Sequence, residues 1–403
     1  MLRRARRALP VSSSSLARAL PLAACLVAAL ASSPVAAAAP ADAPADFTDA
    51  VKALSAVVAC DGQPYDTTRY DAKIVTAHCA ELHAIFGRYQ KEWLALARPF
   101  FSNLVPHDIP MTVVYPFGGA DLLTVLAIFP DVTELTSLSL ESGGDPRPFA
   151  TLDGKALARS LKLHRRFLDK LVTVNHSRTL DLGQLKLDPL PSQIVFALVG
   201  LTTQGYEPVG LRYFRLDADG AIHYLTATDI AAGDGEIKGL RGTKKNLRTA
   251  ELFGSFELVF RKLGGGPEQV YRHISANLDN EHLAADPRVP RHLEKKGMVT
   301  AMTKAASYLL WWHNFDTIRK YLLDHMVWMV SDSTGIPPDF LDPKVWELET
   351  YGKFRATAIK GSTEGQAAYR KVWEEQPERP LPFMFGYPSK AQHAHLVVTR
   401  RKK

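Results

Sequence analysis

Met111-Thr-Val-Val-Tyr115, Pro116-Phe-Gly-Gly-Ala120, Asp121, Leu122-Leu-Thr-Val-Leu-Ala-Ile-Phe129, Pro130-Asp131 and Glu134-Leu-Thr-Ser-Leu-Ser-Leu140 are the stretch that decides the fold class. Val113, Val114 and Tyr115 suit a strand, and Pro-Phe-Gly-Gly suits a turn. Asp121 is a good N-cap for a helix over 122–129, because its short carboxylate can accept a free N–H of the first turn. Pro130-Asp131 stops that helix, and a second strand runs to Glu141-Ser-Gly-Gly144. A strand, a helix and a strand this closely spaced make a β-α-β unit, so the two strands are parallel and end on one edge of the sheet. Asp121 and Glu141 then share a rim, each beside a Gly-Gly pair, and open α/β sheets bind ligands at that rim.

On the N-terminal side, Phe47, Ala50, Val51, Leu54, Val57 and Val58 form a helical stripe ending at Cys60-Asp-Gly62. A longer helix is predicted over about 68–98, closed by Arg98-Pro99. On the C-terminal side the reading continues with an amphipathic helix over 153–173 and a buried strand from Ile194 to Leu201. Two hairpins follow, 211–216 with 221–226 and 256–262 with 269–275, separated by a polar basic loop at 231–248. Residues 298–338 read as two central helices: Val299, Met302, Ala306, Leu309, Leu310 and His313 recur at helical spacing, as do Ile318, Tyr321, Leu322, His325 and Met329. A strand near Trp346–Phe354, a helix near 363–375 and closing strands at 382–387 and 395–399 complete the chain. The expected class is α/β or α+β: a mixed sheet with the β-α-β unit (about 111–141), two hairpins and a central helical region (280–331).

Residues 1–39 read as a signal peptide, with Arg3, Arg4, Arg6 and Arg7 before an apolar run from Ala19 to Ala31 and small residues at 36–39. That run is shorter than the roughly 20 residues a membrane span needs. Leu22-Ala-Ala-Cys25 offers lipoprotein processing at Cys25 as the minority alternative. An Ala/Pro/Asp linker (40–46), a single globular domain (47–399) and a basic tail (400–403) follow. The net charge of +7 belongs mostly to the ends. Subtracting the five arginines of 1–39 leaves +2, and subtracting the four basic residues of 400–403 leaves −2, so no nucleic-acid partner is indicated. With 46% hydrophobic and 23% charged residues the chain is not a disordered one. Cys60 and Cys79 are the cysteines outside the leader, and in an oxidising compartment they read as a disulfide. The expected location is periplasmic or extracellular.

The motifs G-x-S-x-G, H-E-x-x-H, G-x-G-x-x-G and the phosphate loop are absent. The catalytic candidates are Asp121, Glu141, His313 and His325. Asp121 with Glu141 could divide acid and base roles, or hold a divalent cation. The bland reading makes Asp121 a helix cap and Glu141 a solvated carboxylate. His313 and His325, with Asp332, could form a His/His/Asp cluster across the two central helices; core histidines are the commoner case, and His78 and His164 are read that way. Asp217-Ala-Asp-Gly220 fits a hairpin turn better than a calcium loop, since it lacks the later ligands. His393-Ala-His395 would put two rings on one face of a strand without a third ligand. No cofactor is predicted.

Tyr115-Pro-Phe-Gly-Gly-Ala-Asp121, Phe129-Pro130, Leu140-Glu141, Lys304-Ala-Ala-Ser-Tyr-Leu309, Phe315-Asp-Thr-Ile-Arg319, Gly335-Ile-Pro337 and Leu381-Pro-Phe-Met-Phe-Gly-Tyr387 together resemble a family of exported bacterial proteins with no assigned activity. The resemblance covers about residue 110 to the end and implies export and one domain, but no catalytic role. The chain departs from the pattern at Gly118-Gly-Ala120, where Ser-Gly-Pro is usual, and at Ser331-Asp-Ser-Thr334, where Asp-Asp-Ser is usual. The second change removes a carboxylate. The function expected is a non-catalytic envelope or extracellular binding protein for a glycan, peptide or partner protein. The alternative is a carboxylate-based or metal-assisted hydrolase at the Asp121/Glu141 rim.

Overall fold

A computed structural model describes residues 43–119, 121–175, 183–356, 363–387 and 395–403. The leader at 1–39, the start of the linker, Ala120 and His393 lie outside the described residues. The N-terminal segment is helical. Helix α1 (Thr48–Leu54) runs through a π turn to Ala59, where Cys60 takes a left-handed φ of 57° and reverses the chain. Helix α2 (Ala72–Tyr89) passes through a second π turn, Gln90–Leu94, into α3 (Ala95–Leu104). Cys60 and Cys79 form the disulfide, Cα atoms 5.5 Å apart, pinning the end of the first helical segment to α2. The expected stop at Pro99 is corrected. Proline removes one hydrogen bond near the start of α3, but Ala97 and Phe101 are fully buried and carry the helix onward.

Strand β1 (Thr112–Pro116), helix α4 (Leu122–Ile128) and strand β2 (Glu134–Ser139) form the β-α-β unit, with β1 and β2 parallel from Thr112 opposite Glu134 to Pro116 opposite Leu138. The remaining elements are α5 (Gly154–Val174), α6 (Ser192–Gln204), β3 (Tyr206–Leu216), β4 (Ile222–Tyr224), α7 (Ala227–Ile237), α8 (Gly242–Leu252), β5 (Ser255–Lys262), β6 (Gln269–Ser275), α9 (Asn280–Ala285), α10 (Arg288–Glu294), β7 (Val299–Thr303), α11 (Asp316–His325), β8 (Met326–Ser331), β9 (Trp346–Gly352), α12 (Thr363–Glu375) and β10 (His395–Arg401).

All ten strands join one mixed sheet in the order β4-β3-β5-β6-β2-β1-β7-β8-β10-β9. The central five, β6-β2-β1-β7-β8, are parallel, while both flanks are antiparallel. Side chains alternate across the pleat into two cores. Val113, Tyr115, Met302, Trp328 and Val330 face one core with α1–α6. Val114, Ala301 and Met329 face the other with α9–α11. The fold is therefore a three-layer α/β/α architecture, and Ala41–Lys403 forms one compact unit.

Four further expectations are corrected. The 298–338 stretch is not a helical pair but β7, 3-10 turns at Ala306–Trp311 and His313–Phe315, α11 and β8. Ile194–Leu201 lies in α6 rather than a strand; a short run that is apolar on every face reads the same in a buried helix as in a buried strand. The 231–248 loop lies largely in α7 and α8, with a capping box from Thr226 to Asp229 starting α7. Residues 382–387 form no strand; they bury Phe383 and Phe385 and bring backbone N–H groups to the sheet edge. Asp217–Gly220 is the β3–β4 turn, with Gly220 N–H on the Asp217 carbonyl.

Candidate functional site at the carboxyl edge of the sheet

The sheet has a topological switch point. The chain leaves β1 for β2 on one side and leaves β7 for β8 on the other, so the general rule for open α/β sheets puts the expected ligand position beyond the carboxyl ends of β1 and β7. Asp121 follows β1 and Lys304 follows β7, and both are buried, 5% and 3% exposed. Lys304 Nζ lies 2.5 Å from Asp121 Oδ2 and donates to Thr124 Oγ1 at 2.9 Å. Asp121 also accepts from the Tyr115 hydroxyl (3.2 Å), Thr124 N–H (3.4 Å) and Thr124 Oγ1 (2.6 Å). The predicted cap is present, and with it a buried ion pair that fills both carboxylate oxygens.

Beside this pair, Asp332 closes β8 with no solvent exposure. It accepts from the backbone N–H groups of Ala305 (2.9 Å), Thr334 (2.9 Å) and Tyr387 (2.7 Å), and from the Thr334 hydroxyl. Burial pushes its carboxyl above the usual range, against the pull of these four donors. Asn175 Oδ1 accepts Gly386 N–H at 3.1 Å and faces Lys304 Nζ at 3.5 Å. Segment 381–387 is thus strapped to the edge by two buried side chains. Gly386 is required there: its φ is +59°, and a Cβ would collide with the Asp332 carboxylate.

Among the described residues, the non-glycine residues with positive φ are Cys60, Phe117, Asn175 and Ala305. Asparagine tolerates this region, but Phe117 and Ala305 are strained in it. They follow β1 and β7, the two strands that flank the switch point. Strain of this kind costs of order 1–3 kcal/mol per residue and gathers at functional sites.

Glu141 follows β2 on the same edge. It is 7% exposed, and its Oε1 has no hydrogen-bond partner. Its backbone, by contrast, is firmly held. His273 Nε2 lies 2.7 Å from the Glu141 carbonyl, and His273 Nδ1 lies 3.2 Å from Ser137 Oγ. Burial lowers the His273 pKa, so the ring is neutral. Nε2 faces a carbonyl and must carry the proton, which leaves Nδ1 to accept from Ser137. The Tyr271 hydroxyl lies 2.9 Å from Ser137 Oγ and 3.2 Å from the Gly119 carbonyl, and its single proton serves one of the two at a time. Tyr271, Ser137 and His273 thus line up side by side between the β1 turn and the β2 turn.

The two histidine candidates do not join this site. His313 is exposed on a 3-10 turn beside Asp316 (3.3 Å). His325 ends α11, stacks on Tyr321 at 4.8 Å between ring centroids, and precedes β8. The ten residues of α11 separate the two rings along the axis by about 15 Å. Asp332 lies at the far end of β8, about 20 Å from the start of the strand. The His/His/Asp cluster is thus corrected: the pattern assumed two long helices, and the intervening strand carries Asp332 away. His78 and His164 are buried core histidines, with His78 Nε2 on the Val58 carbonyl (2.8 Å) and His164 Nδ1 on the Ser160 carbonyl (2.9 Å). His395 packs against Phe354 and Trp373 and reaches Ser333. Among the described residues, no three His, Cys, Asp or Glu side chains gather as a metal-binding set.

A cavity of about 400 Å³ lies at the opposite, amino edge, lined by Thr112, Glu134, Arg272, His292 and Lys296 among others. Its charges are spent on one another, since Glu134 takes both Arg272 and Lys296. Sequence reasoning missed Lys304, Asn175 and the Ser137–Tyr271–His273 trio. No local signal marks the first, since Val299-Thr-Ala-Met-Thr303 before it is neither a continuous apolar run nor a clean alternation.

No family model, curated protein or solved structure matches this chain.

Proposed function

We propose that the chain is an exported, non-catalytic binding protein that takes a small ligand at the carboxyl edge of its parallel sheet, beside β1, β2 and β7. The observation that carries this reading is Glu141 Oε1, a buried carboxylate oxygen without a partner at an edge where α/β sheets hold ligands. Leaving such a group unsatisfied costs about 1–3 kcal/mol or more, which a ligand's O–H or N–H donor would recover. The strained Phe117 and Ala305 beside the same crevice support the reading.

The hydrolase alternative needs Asp121 as a free acid or base, and both Asp121 oxygens are engaged by Lys304, Tyr115 and Thr124. Export is supported by the arginine-plus-apolar leader and by the Cys60–Cys79 disulfide. Among the described residues no helix is long and apolar enough to cross a membrane.

The test is a thermal melt of residues 40–403, folded under oxidising conditions, against a panel of sugars, peptides, amino acids, nucleosides and divalent cations. A ligand at 100 times its Kd adds about 2.7 kcal/mol. A midpoint shift that Glu141→Gln removes supports the proposal. A shift with one cation that Asp121→Asn removes supports the hydrolase instead. No shift with any member overturns the binding reading.

A further inference from the structure

We infer that the ligand of this edge is a nucleoside, neutral or cationic and without a 5′-phosphate, whose ribose hydroxyls donate to Glu141. The inference rests on the binding reading above and narrows it to one chemical class.

Three observations lead there. The first is placement. In doubly wound sheets the strand before the switch point ends in a glycine turn, and a carboxylate about 20 residues later takes the ribose hydroxyls. Here β1 ends in Phe117-Gly118-Gly119, and Glu141 stands at the end of β2, the strand directly hydrogen-bonded to β1. The second is valence. Glu141, buried as a residue, offers an acceptor oxygen with no donor on it, so the group that meets it must bring O–H or N–H. A vicinal diol does so. The side chains of Tyr271, Ser137 and His273 stand between the Gly119 and Glu141 backbones before any ligand arrives.

The third is charge, and it separates nucleosides from nucleotides. A dinucleotide's pyrophosphate normally sits on free N–H groups at the start of the helix after β1. Here Asp121 caps that helix, taking Thr124 N–H, and puts a carboxylate where the phosphate would lie. Lys304, the cation beside it, is already committed to Asp121 and Thr124. An anion would therefore meet Asp121 and Glu141 with no available counter-charge from Lys304. Leu140, 57% exposed and next to Glu141, offers apolar surface for a base, and the space beside Gly119 is open where a Cβ would project.

The experiment is calorimetric titration of residues 40–403 with adenosine, guanosine, cytidine and the sulfonium nucleoside S-adenosylmethionine, then with the 2′-deoxy and 5′-phosphate forms of whichever binds. The expected result is binding by a ribonucleoside, weakened at least tenfold by loss of the 2′-hydroxyl and at least tenfold by addition of the 5′-phosphate. Glu141→Gln should weaken it at least tenfold while melting no lower than the unliganded parent, which separates a lost contact from a lost fold. Equal binding of ribo and deoxy forms overturns the diol contact. Tighter binding of the phosphate form overturns the charge argument. A sugar or peptide that binds in a Glu141-dependent way overturns the nucleoside and leaves the binding site standing. No response from either panel overturns both.

Discussion

Replacing Lys304 by methionine removes the charge from the switch-point ion pair while keeping most of the side-chain volume. Asp121 would retain Tyr115 and Thr124 but lose the counter-ion it has among the described residues. Removing one partner of a buried pair leaves an uncompensated charge and costs about 3–5 kcal/mol. Unfolding entropy near 2.1 cal/mol/K per residue, over a compact unit of about 360 residues, converts that to a drop of about 4–7 °C in melting midpoint. The double variant Asp121→Asn/Lys304→Met leaves no buried charge at the pair. It should therefore be markedly more stable than the sum of the two single variants requires, with a coupling energy above 1 kcal/mol. The assay is thermal unfolding of all four proteins for the midpoint and guanidinium unfolding for the coupling energy, read by tryptophan fluorescence and far-UV dichroism. A Lys304→Met midpoint within 1 °C of the parent, or strict additivity of the two changes, would refute the reasoning.

Three further expectations concern stability. Breaking the disulfide with Cys60→Ser/Cys79→Ser opens a loop spanning 19 residues and should cost about 3 kcal/mol in the chain-entropy model, read as a lower denaturation midpoint. Gly386→Ala should cost more than about 2 kcal/mol, because it combines a positive φ with a Cβ against Asp332; an unchanged midpoint would contradict the packing of segment 381–387. Stability should also fall with acid in two stages. Burial holds the His78 and His292 pKa values down to about 4 in the fold, against 6.5 when unfolded. Between those values the unfolded chain binds more protons, so their contribution, about 3 kcal/mol each, is present above pH 6.5 and lost as the pH falls to 4. At Glu134, burial would raise the pKa, but Lys296 and Arg272 hold it down to about 2, so that contribution is present above pH 4.5 and fades below it. Urea midpoints at pH 7, 5.5, 4 and 3 check the sequence, and a flat profile from pH 7 to 4 would exclude it.

The β-α-β unit was legible because its signals are local: a β-branched run, a glycine turn, a capping aspartate and a proline stop, all within thirty or so residues. The hairpins announced themselves through Asp217–Gly220 and Gly264–Pro267, and the disulfide through the scarcity of cysteine. Strands β7 and β8 were hidden for a physical reason. Both are covered on two faces, so the alternation that marks a half-buried strand is missing, and Val299, Met302 and Ala306 match a helical spacing by coincidence. Residues 194–201 failed in the opposite sense, with a helix apolar all round passing for a core strand. At the site, Asp121 and Glu141 could be named from the chain alone. Lys304 could not, because its pairing with Asp121 depends on β7 docking beside β1. Nor does a sequence reveal that one oxygen of Glu141 goes without a donor.

The order of strands in the sheet also carries a timetable. Strand β1 pairs with β2 across a short helix, yet its other neighbour, β7, enters the chain only after the two hairpins and the six helices α5–α10, with Val113 opposite Thr300. Closing so long a loop must precede any reward from the contact, and sheets built this way fold slowly. The half containing β1, β2 and α4 can collect its apolar contacts early, while the crevice between β1 and β7 cannot exist until the late strands arrive. Any binding at that edge therefore has to wait for β7 to dock. Refolding followed by ligand binding should lag behind refolding followed by secondary structure, with the interval set by the docking of β7 and β8.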